Sequence, residues 1–198
     1  MDASEWDQRY AATELLWSDT PNQFVKEYFE RKQPGTVADL GAGEGRNSIW
    51  LARQGWNVVA VDFSSVALER TAALAEKAGV AIKTVNDNLV TWESPAVFDA
   101  IVICYIHLPK AMMAKLWKNA FHALVPGGEL LIVGHHTRNL TEGTGGPQSA
   151  EVLFAPSDVV EVLGKEAIVE AKDVFRNVEV AGATSVAIDT YVVAQNRS

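Results

Sequence analysis

The stretch TVADLGAGEGRNSIWLA, residues 36–52, decides the fold of this chain. It begins as a short apolar strand, passes through a turn with three alternating glycines, and continues with the spacing of a helix. Glycine lets the backbone take positive φ values and lets a ligand lie directly against the main chain. The free N–H groups at the start of the helix that follows can bind such a ligand. The pattern is G-x-G-x-G, with Arg46 where the dinucleotide pattern G-x-G-x-x-G has its third glycine.

Acidic residues stand at the ends of the first two predicted strands. A carboxylate at Asp62 can accept hydrogen bonds from both ribose hydroxyls of an adenosine, and the alternative is a solvated acid. Phe63 then lies against the adenine or simply packs in the interior. Asp39, before the turn, either orients the turn or holds an ammonium group. Because an acid at this place repels pyrophosphate, the sequence favours a nucleoside with a positively charged amino acid end.

The rest of the chain alternates between strand and helix patterns. Five alternations predict a parallel sheet with helices on both faces, and two β-rich runs at the end predict an antiparallel hairpin on its edge. The first helix is predicted to begin at Thr20 and Pro21, and a later one has Ser64 as its N-cap. Predicted helices cover residues 21–33, 46–54, 65–78, 109–124 and 156–163, and predicted strands cover 36–40, 57–62, 80–85, 98–105, 129–133, 167–180 and 185–194.

Length and composition predict one domain, residues 1–198, in which residues 1–34 form an N-terminal lid segment and helix. Apolar residues make up 48% and charged residues 21%, which is typical of a folded globular protein. The net charge of −8 and the lack of a Lys/Arg cluster argue against a nucleic-acid partner. One cysteine indicates a reducing compartment, and neither a secretory signal nor a membrane-spanning run is visible, so we expect a cytoplasmic protein without a membrane partner.

The segment DLGAGEGRNSIWLARQGWNVVAVD, residues 39–62, resembles motifs one and two of the class I S-adenosylmethionine-dependent methyltransferases. The tellurite-resistance type is the most similar, because its turn also leads into the helix through Gly-Arg-Asn-Ser. The resemblance covers roughly residues 35–135. It implies a Rossmann-like, doubly wound α/β fold with a mostly parallel seven-stranded sheet, helices on both faces and an antiparallel C-terminal hairpin. It also implies S-adenosyl-L-methionine as cosubstrate.

The resemblance further implies where the cosubstrate is held. Gly41 and Gly43 would meet its methionine portion, Asp62 its ribose and Phe63 its adenine. Cys104 and Tyr105, which end the fourth strand, would line the floor of the site near the sulfonium. The family has an acid near the adenine amine after its third strand. This position falls at Asn88-Leu89 here, with Asp87 alongside, and either Asp87 or Asn88 can contact the amine. The other expected cofactor contacts are Trp17, Asp39, Gly45, Arg46, Ser64 and Leu89.

Candidate catalytic residues are few. His107, on the loop after the fourth strand, is either a general base or a structural histidine, and the pair at residues 135–136 offers the same alternatives. Cys104 is more typical of a small buried residue than of a nucleophile, and no ligand spacing predicts a metal. Tellurite-resistance relatives carry a functional His-Arg pair near the last hairpin. Phe175 replaces the histidine here, so only Arg176 remains to attract an anionic acceptor.

These residues predict in-line methyl transfer to a small-molecule acceptor, with residues 135–150 and the N-terminal aromatic segment closing over the site. The lack of a clear base favours a soft acceptor such as a thiol, selenium or tellurium anion. One alternative is a non-catalytic S-adenosylmethionine sensor or partner-binding module. Another is an NAD(P)-dependent oxidoreductase, against which Asp39 and Arg46 argue. The sequence does not identify the acceptor or the oligomeric state.

Overall fold

A computed structural model describes residues 20–94, 97–180 and 182–198. The strands are β1 (Thr36–Leu40), β2 (Asn57–Asp62), β3 (Ile82–Asn86), β4 (Phe98–Cys104), β5 (Leu124–His135), β6 (Ile168–Val180) and β7 (Ala183–Gln195). The helices are α1 (Gln23–Phe29), α2 (Arg46–Arg53), α3 (Ser65–Ala78), α4 (Lys110–His122), α5 (Asn139–Glu142) and α6 (Pro156–Leu163).

The seven strands are hydrogen-bonded in the order β3-β2-β1-β4-β5-β7-β6. β2 is parallel to both β1 and β3, whereas β7 is antiparallel to both β5 and β6. The predicted sheet with its antiparallel C-terminal hairpin is therefore confirmed. The parallel strands must be joined by crossover segments, and this is why strand and helix patterns alternate along the sequence.

The chain divides into two compact units at a boundary after Val102. In the described part of the first unit, β1 and β2 carry nearly continuous buried apolar residues, as strands covered on both faces do. Phe29 of α1 meets Trp56 edge to face at 5.1 Å between ring centroids. Asn22 N–H donates to Asn47 Oδ1 over 2.9 Å, which fixes the start of α1 to α2.

The second unit has its own core around β5 and β7. Leu130–Val133 and residues 191–194 are buried, and Trp117 of α4 packs edge to face on Phe154 at 5.1 Å between centroids. Thr190 Oγ1 donates to the Phe154 carbonyl over 2.6 Å. This unit supplies the long antiparallel pairs that end the fold.

Several element ends differ from the sequence prediction. α1 begins at Gln23 and not at Pro21, because the side chain of Asn22, not Thr20, accepts the N–H groups of Phe24 and Val25. It also ends at Phe29, four residues before the predicted end. The predicted ends Ser64 and Gly79 of α3 and the start of α6 at Pro156 are confirmed.

β5 is longer than predicted, since it begins at Leu124 and runs through the predicted turn to His135. Gly127 and Gly128 stay paired with Asn196, through N–H···O distances of 2.6 and 2.9 Å. Residues 135–150, predicted to lack secondary structure, contain the short helix α5 and the beginning of a 3₁₀ turn at Ala150–Val152. Among the described residues, no helix is both long and apolar enough to cross a membrane.

Candidate active site

The glycine turn between β1 and α2 has left-handed backbone at Gly41, Gly43 and Gly45, with φ values of 76°, 56° and 78°. Residues other than glycine adopt left-handed backbone angles only at a cost in free energy, which explains the alternating glycines. The N–H groups of Gly41 and Ala42 donate to the Val61 carbonyl over 2.8 and 3.1 Å. The turn is therefore tied to β2 as well as to the strand that leads into it.

Helix α3 supports the turn from its other side. Thr71 Oγ1 donates to the Gly43 carbonyl over 2.8 Å. A Cβ atom on Gly45 would lie 2.5 Å from Thr71 Cγ2, so only glycine fits there. Arg70 pairs with the buried Glu44 at 2.6 Å. Because Arg70 balances Glu44, that carboxylate adds no net charge to the turn.

Asp62 links the turn to the start of α3. Its carboxylate is 5% exposed, and its Oδ2 accepts the Gly43 N–H over 2.8 Å while its Oδ1 accepts the Ser64 N–H over 2.9 Å. Ser64 in turn caps α3, since its Oγ accepts the Ala67 N–H over 3.1 Å. The structure thus brings together the glycine turn and the acid that the sequence predicts to act with it.

Asp39 is buried below the turn. Its Oδ2 accepts the Ser48 hydroxyl over 2.7 Å, and burial raises the pKa of the carboxyl to about 6. Ser48 and the charge of Arg46 oppose this rise, whereas the charge of Asp62 adds to it. A cation placed beside Asp39 would therefore favour its ionised form.

The residues after β3 form a turn next to the end of β2. Asp87 N–H donates to the Asp62 carbonyl over 3.1 Å, and its Oδ1 accepts the Asn88 N–H over 2.7 Å. The side-chain oxygen of Asn88 accepts the Val90 N–H over 2.9 Å, and Leu89 is buried. The Asn88 carbonyl group is therefore used within the turn.

Phe63 and Cys104 are two further residues that we expect to contact the cofactor, and they lie at the ends of two different strands. The side chain of Phe63 is partly exposed, and its carbonyl accepts Asn86 Nδ2 over 2.9 Å. Cys104 is half-buried at the end of β4. Trp17, the contact expected from the N-terminal segment, lies outside the described residues.

The second unit contains a polar cluster, which consists of Tyr105, His107, His135, Arg176 and Asp189. Asp189 is fully buried, and its Oδ2 accepts the Tyr105 hydroxyl over 2.7 Å and Arg176 Nε over 2.9 Å. Arg176 Nε also lies 3.1 Å from the Tyr105 hydroxyl oxygen. Burial alone would raise the pKa of Asp189, but its contacts with His135, Arg176 and Tyr105 hold the pKa below its usual value.

The two histidines of the polar cluster are stacked, with ring centroids 5.2 Å apart and planes 18° apart. His135 Nδ1 lies 3.0 Å from Asp189 Oδ1, although the two atoms are not aligned for a hydrogen bond. His107 Nε2 is buried and has no hydrogen-bond partner in the part of the chain that the structure describes. Burial, together with His135, lowers the pKa of His107 to about 4. His107 is therefore a neutral imidazole at pH 7.

Tyr105 shows that the backbone is constrained here. Its φ is 57°, and it is the only non-glycine residue with positive φ in the part of the chain that the structure describes. Its N–H donates to the Val133 carbonyl over 2.8 Å, and burial raises the pKa of its hydroxyl. Backbone strain of this kind is concentrated at functional sites.

Sequence reasoning placed Tyr105 with Cys104 on the floor of the site but missed Asp189. The signal for Asp189 is one acid inside the apolar run VAIDTYVVA, residues 186–194. A charge in a buried strand requires a partner. Arg176 was expected to attract an anionic acceptor, but its charge is already matched by Asp189.

His136 is engaged elsewhere. Its Nδ1 accepts the Arg138 N–H over 2.9 Å, and its Nε2 lies 3.3 Å from Asp173 Oδ1. Arg138 also pairs with Asp173 at 2.7 Å and with Glu142 at 2.6 Å. His136 therefore serves the structure of this loop, and His107 and His135 remain as the candidate bases.

The glycine-rich loop after α5 lies against the polar cluster. Asn139 Nδ2 donates to the carbonyls of Thr144 and Gly145 over 3.1 and 2.7 Å, and its Oδ1 accepts the Ile188 N–H over 2.8 Å. A Cβ atom on Gly146 would lie 2.6 Å from His135 Cδ2. The backbone at Gly146 therefore covers one side of the His135 ring.

A cavity of about 260 Å³ lies between α4 and α6 in the same unit. Its walls are largely apolar, with Trp117, Leu153 and Phe154 among them, and Lys110 and Asp158 stand at its edge. No member of the polar cluster lines it. The chemistry of the site therefore does not involve this cavity directly.

Comparison with known proteins agrees with the resemblance seen in the sequence. Residues 37–128 match a family described as a methyltransferase domain. A tRNA 5-carboxymethoxyuridine methyltransferase of Escherichia coli (strain K12) is 28% identical over 135 residues, which are 64% of this chain and 49% of that protein. The chain thus spans about half the length of the curated relatives of this kind.

Solved structures show the same fold. TehB from Haemophilus influenzae superposes with a TM-score of 0.75 at 19% identity, over 98% of this chain and 66% of that one. The N-methyltransferase NodS from Bradyrhizobium japonicum WM9, in complex with S-adenosyl-L-homocysteine, has a TM-score of 0.71 at 17% identity over all of both chains. The predicted resemblance to class I methyltransferases, together with the cosubstrate it implies, is therefore confirmed at the level of the domain and the fold.

Proposed function

We propose that this protein is an S-adenosylmethionine-dependent methyltransferase that acts on a small-molecule acceptor. One observation carries the proposal: the buried Asp62 carboxylate bonds the N–H groups of Gly43 and Ser64 at the glycine turn. A buried acid at the end of the second strand, next to a glycine turn, is where α/β nucleoside-binding domains place the residue that binds the ribose hydroxyls. The family match over residues 37–128 supports the same conclusion.

The residues of the turn suit the amino acid end of the cosubstrate. Asp39 is buried and its pKa is raised to about 6, so an ammonium group beside it would stabilise the ionised form and make a charge-assisted hydrogen bond. Gly41, Gly43 and Gly45 let the methionine portion lie against the backbone, and α2 begins at Arg46 just behind them. When bound, S-adenosylmethionine supplies an activated methyl group.

At the adenine end we assign the hydrogen bond of the base amine to Asp87. The Asn88 side-chain oxygen is already bonded to the Val90 N–H, whereas Asp87 Oδ2 has no such role in the turn. Leu89 is buried, so it supports the turn with its side chain and can offer only its backbone to the base. Phe63, partly exposed after β2, provides an apolar surface for the ring.

The charges of the chain favour a small acceptor over RNA. The relative from Escherichia coli methylates a tRNA nucleoside by its name, but this chain carries a net charge of −8. Arg138, Lys172 and Arg176 are each paired with a carboxylate. Polyphosphate binding needs unpaired cations, and tRNA is therefore the less favoured acceptor.

The expectation of a soft acceptor was based on the lack of a clear general base in the sequence. The unpartnered Nε2 of His107 removes that reason, so thiols and selenium or tellurium anions are now one group to be tested among others. The glycine-rich loop at residues 143–146 lies over His135, and we propose that it shields the acceptor from water. We expect a single domain that works in the reducing cytoplasm, since the sequence has one cysteine and so no intrachain disulfide.

Calorimetry with S-adenosylmethionine tests the proposal on the wild type, Asp62→Ala and the control Asp99→Ala. Asp99 also anchors backbone, because it accepts the Thr36 N–H over 2.7 Å, but it is remote from the turn residues in sequence and is exposed. We expect micromolar binding by the wild type and by Asp99→Ala, and a loss of at least about tenfold in Asp62→Ala. Absence of binding to the wild type, or unchanged binding to Asp62→Ala, would contradict it.

A further inference from the structure

Three buried atoms of the polar cluster have no aligned hydrogen-bond partner among the described residues: His107 Nε2, His135 Nδ1 and Asp189 Oδ1. The last two lie 3.0 Å apart and face each other, so His107 Nε2 is the atom of the three that is left without such a counterpart. Buried polar atoms in native proteins almost always have partners, and an exception indicates a functional role. The missing partner of His107 is therefore a candidate for a ligand atom.

The tautomer of His107 decides what this ligand atom must be. The Tyr105 backbone opposes the fall in the pKa of His107, which is the effect of a ring N–H that points to a backbone carbonyl. Since Nε2 has no partner, the donor is Nδ1. A neutral imidazole has one N–H, which leaves a lone pair on Nε2. The matching group is therefore a hydrogen-bond donor.

The charges around His107 exclude a different acceptor. The side chains of the polar cluster offer little positive charge to a preformed anion, because Arg176 is matched by Asp189 at 2.9 Å and the pKa of His107 is lowered to about 4. The stacked ring of His135, 5.2 Å away, also disfavours a charge on His107. The polar cluster is thus nearly neutral and suits a neutral ligand.

We propose that the methyl acceptor is a neutral molecule that donates an O–H or a weakly basic N–H to His107 Nε2, which removes this proton during transfer. This inference deepens and depends on the proposed methyltransferase function. The acceptor atom forms a bond to the methyl carbon, and the carbon–sulfur bond breaks with its electron pair remaining on sulfur. The proton of the acceptor moves to His107, so the positive charge of the sulfonium ends on the imidazole.

The weak basicity of His107 further restricts the chemical class of the acceptor. An alkyl ammonium group, with a pKa of about 10, would keep its proton in the presence of such a base. A hydroxyl or an aromatic amine loses its proton only as the new bond forms, and a base in contact with it then assists the step. Phenols, alcohols and aromatic amines are therefore the expected class.

A ¹⁵N spectrum of histidine-labelled protein tests the tautomer without any acceptor. His107 is expected to show a non-protonated Nε2 and a protonated Nδ1 from pH 5.5 to 8, and its signals are assigned by their loss in His107→Gln. Tyr105, His135, Arg176 and Asp189 are the titratable groups that face it. A protonated Nε2 in this range would overturn the proposal.

Release of S-adenosylhomocysteine is then measured with two panels, one of phenols, alcohols and anilines and one of thiols, selenite and tellurite. We expect turnover in the first panel, a drop in kcat of about 10² or more in His107→Gln, and unchanged S-adenosylmethionine affinity. The control His122→Gln changes an exposed histidine at the end of α4 and should keep full activity.

Turnover confined to the second panel, turnover in neither panel, or an unchanged kcat in His107→Gln would overturn this inference. None of these results affects the proposed function if S-adenosylmethionine still binds to the wild type and Asp62→Ala weakens this binding by at least about tenfold. Loss of cosubstrate binding in the wild type would instead contradict the proposed function itself.

Discussion

At the scale of single residues, Asp39 is the clearest case of a side chain held in an unfavourable state. It is fully buried, and its pKa of about 6 lies above the unfolded value of 3.8. Between these values the unfolded chain binds fewer protons than the folded one, so stability falls as the pH rises. Two pKa units correspond to about 3 kcal/mol. The folded protein tolerates this cost at a place where a cation is expected to bind.

The prediction from Asp39 concerns Asp39→Asn, which keeps an acceptor for Ser48 but cannot ionise. Urea unfolding should show the variant to be more stable than the wild type at pH 7.5, by up to about 3 kcal/mol, and the gain should shrink at pH 4.5. Binding of S-adenosylmethionine should weaken, because the ammonium group loses its carboxylate. Asp99→Asn is the control.

The pKa of Asp99 is shifted in the opposite direction to that of Asp39, because hydrogen bonds from Thr36 hold the pKa of this exposed carboxyl below its usual value. The stabilisation that it provides is present above its unfolded pKa and is lost as the pH falls through the folded one. Asp99→Asn should therefore be less stable than the wild type at pH 7.5. An Asp39→Asn variant with equal stability gains at both pH values would contradict the assignment to Asp39.

At the scale of elements, the packing of the glycine turn on α3 can be separated from backbone strain. Gly45 and Gly79 both have positive φ, 78° and 69°, but a Cβ atom at Gly79 meets nothing within 4 Å. Gly79→Ala should cost about 1 kcal/mol from strain alone. Gly45→Ala should cost clearly more in urea unfolding, because its Cβ would overlap Thr71. Equal costs would show that the contact with Thr71 is unimportant.

The glycine-rich loop offers a second matched pair. Gly145 and Gly146 have φ values of 74° and 75°, but only at Gly146 would a Cβ atom meet a neighbour, the ring of His135. Gly146→Ala should therefore lower kcat well below that of Gly145→Ala at similar stability, since it displaces the stacked histidines. Steady-state kinetics and thermal unfolding of both variants test this. Equal kcat values would argue against a role for the loop in shaping the site.

At the scale of the whole molecule, charge determines which partners the protein tolerates. A net charge of −8 repels a polyanion, and the screening of this repulsion depends on salt. We expect no saturable binding of tRNA at about 10 μM protein in fluorescence anisotropy, even at 50 mM salt, where non-specific binders are near saturation. Saturable binding that weakens with salt would favour a nucleic-acid acceptor.

Much of the fold and the cosubstrate site follows from local sequence. The alternation of strands and helices, the glycine turn and the position of Asp62 depend on residues close in the chain and on backbone rules. The predicted start of α1 was wrong by two residues, because two polar residues, Thr20 and Asn22, compete as N-caps. Asn22 prevails because its backbone also binds Asn47, which lies 25 residues further along.

The polar cluster was decided only by tertiary structure. His135 pairs directly with Asp189 in the register of β5 and β7, and Arg176 lies on β6, opposite Ala187 and diagonally next to Asp189. Directly opposite and diagonal residues in antiparallel strands come within reach of each other. A shift of one residue would turn Asp189 to the other face of the sheet. The sequence by itself therefore indicated the cosubstrate, through one local turn, while strand register across more than fifty residues decided which groups form the polar cluster.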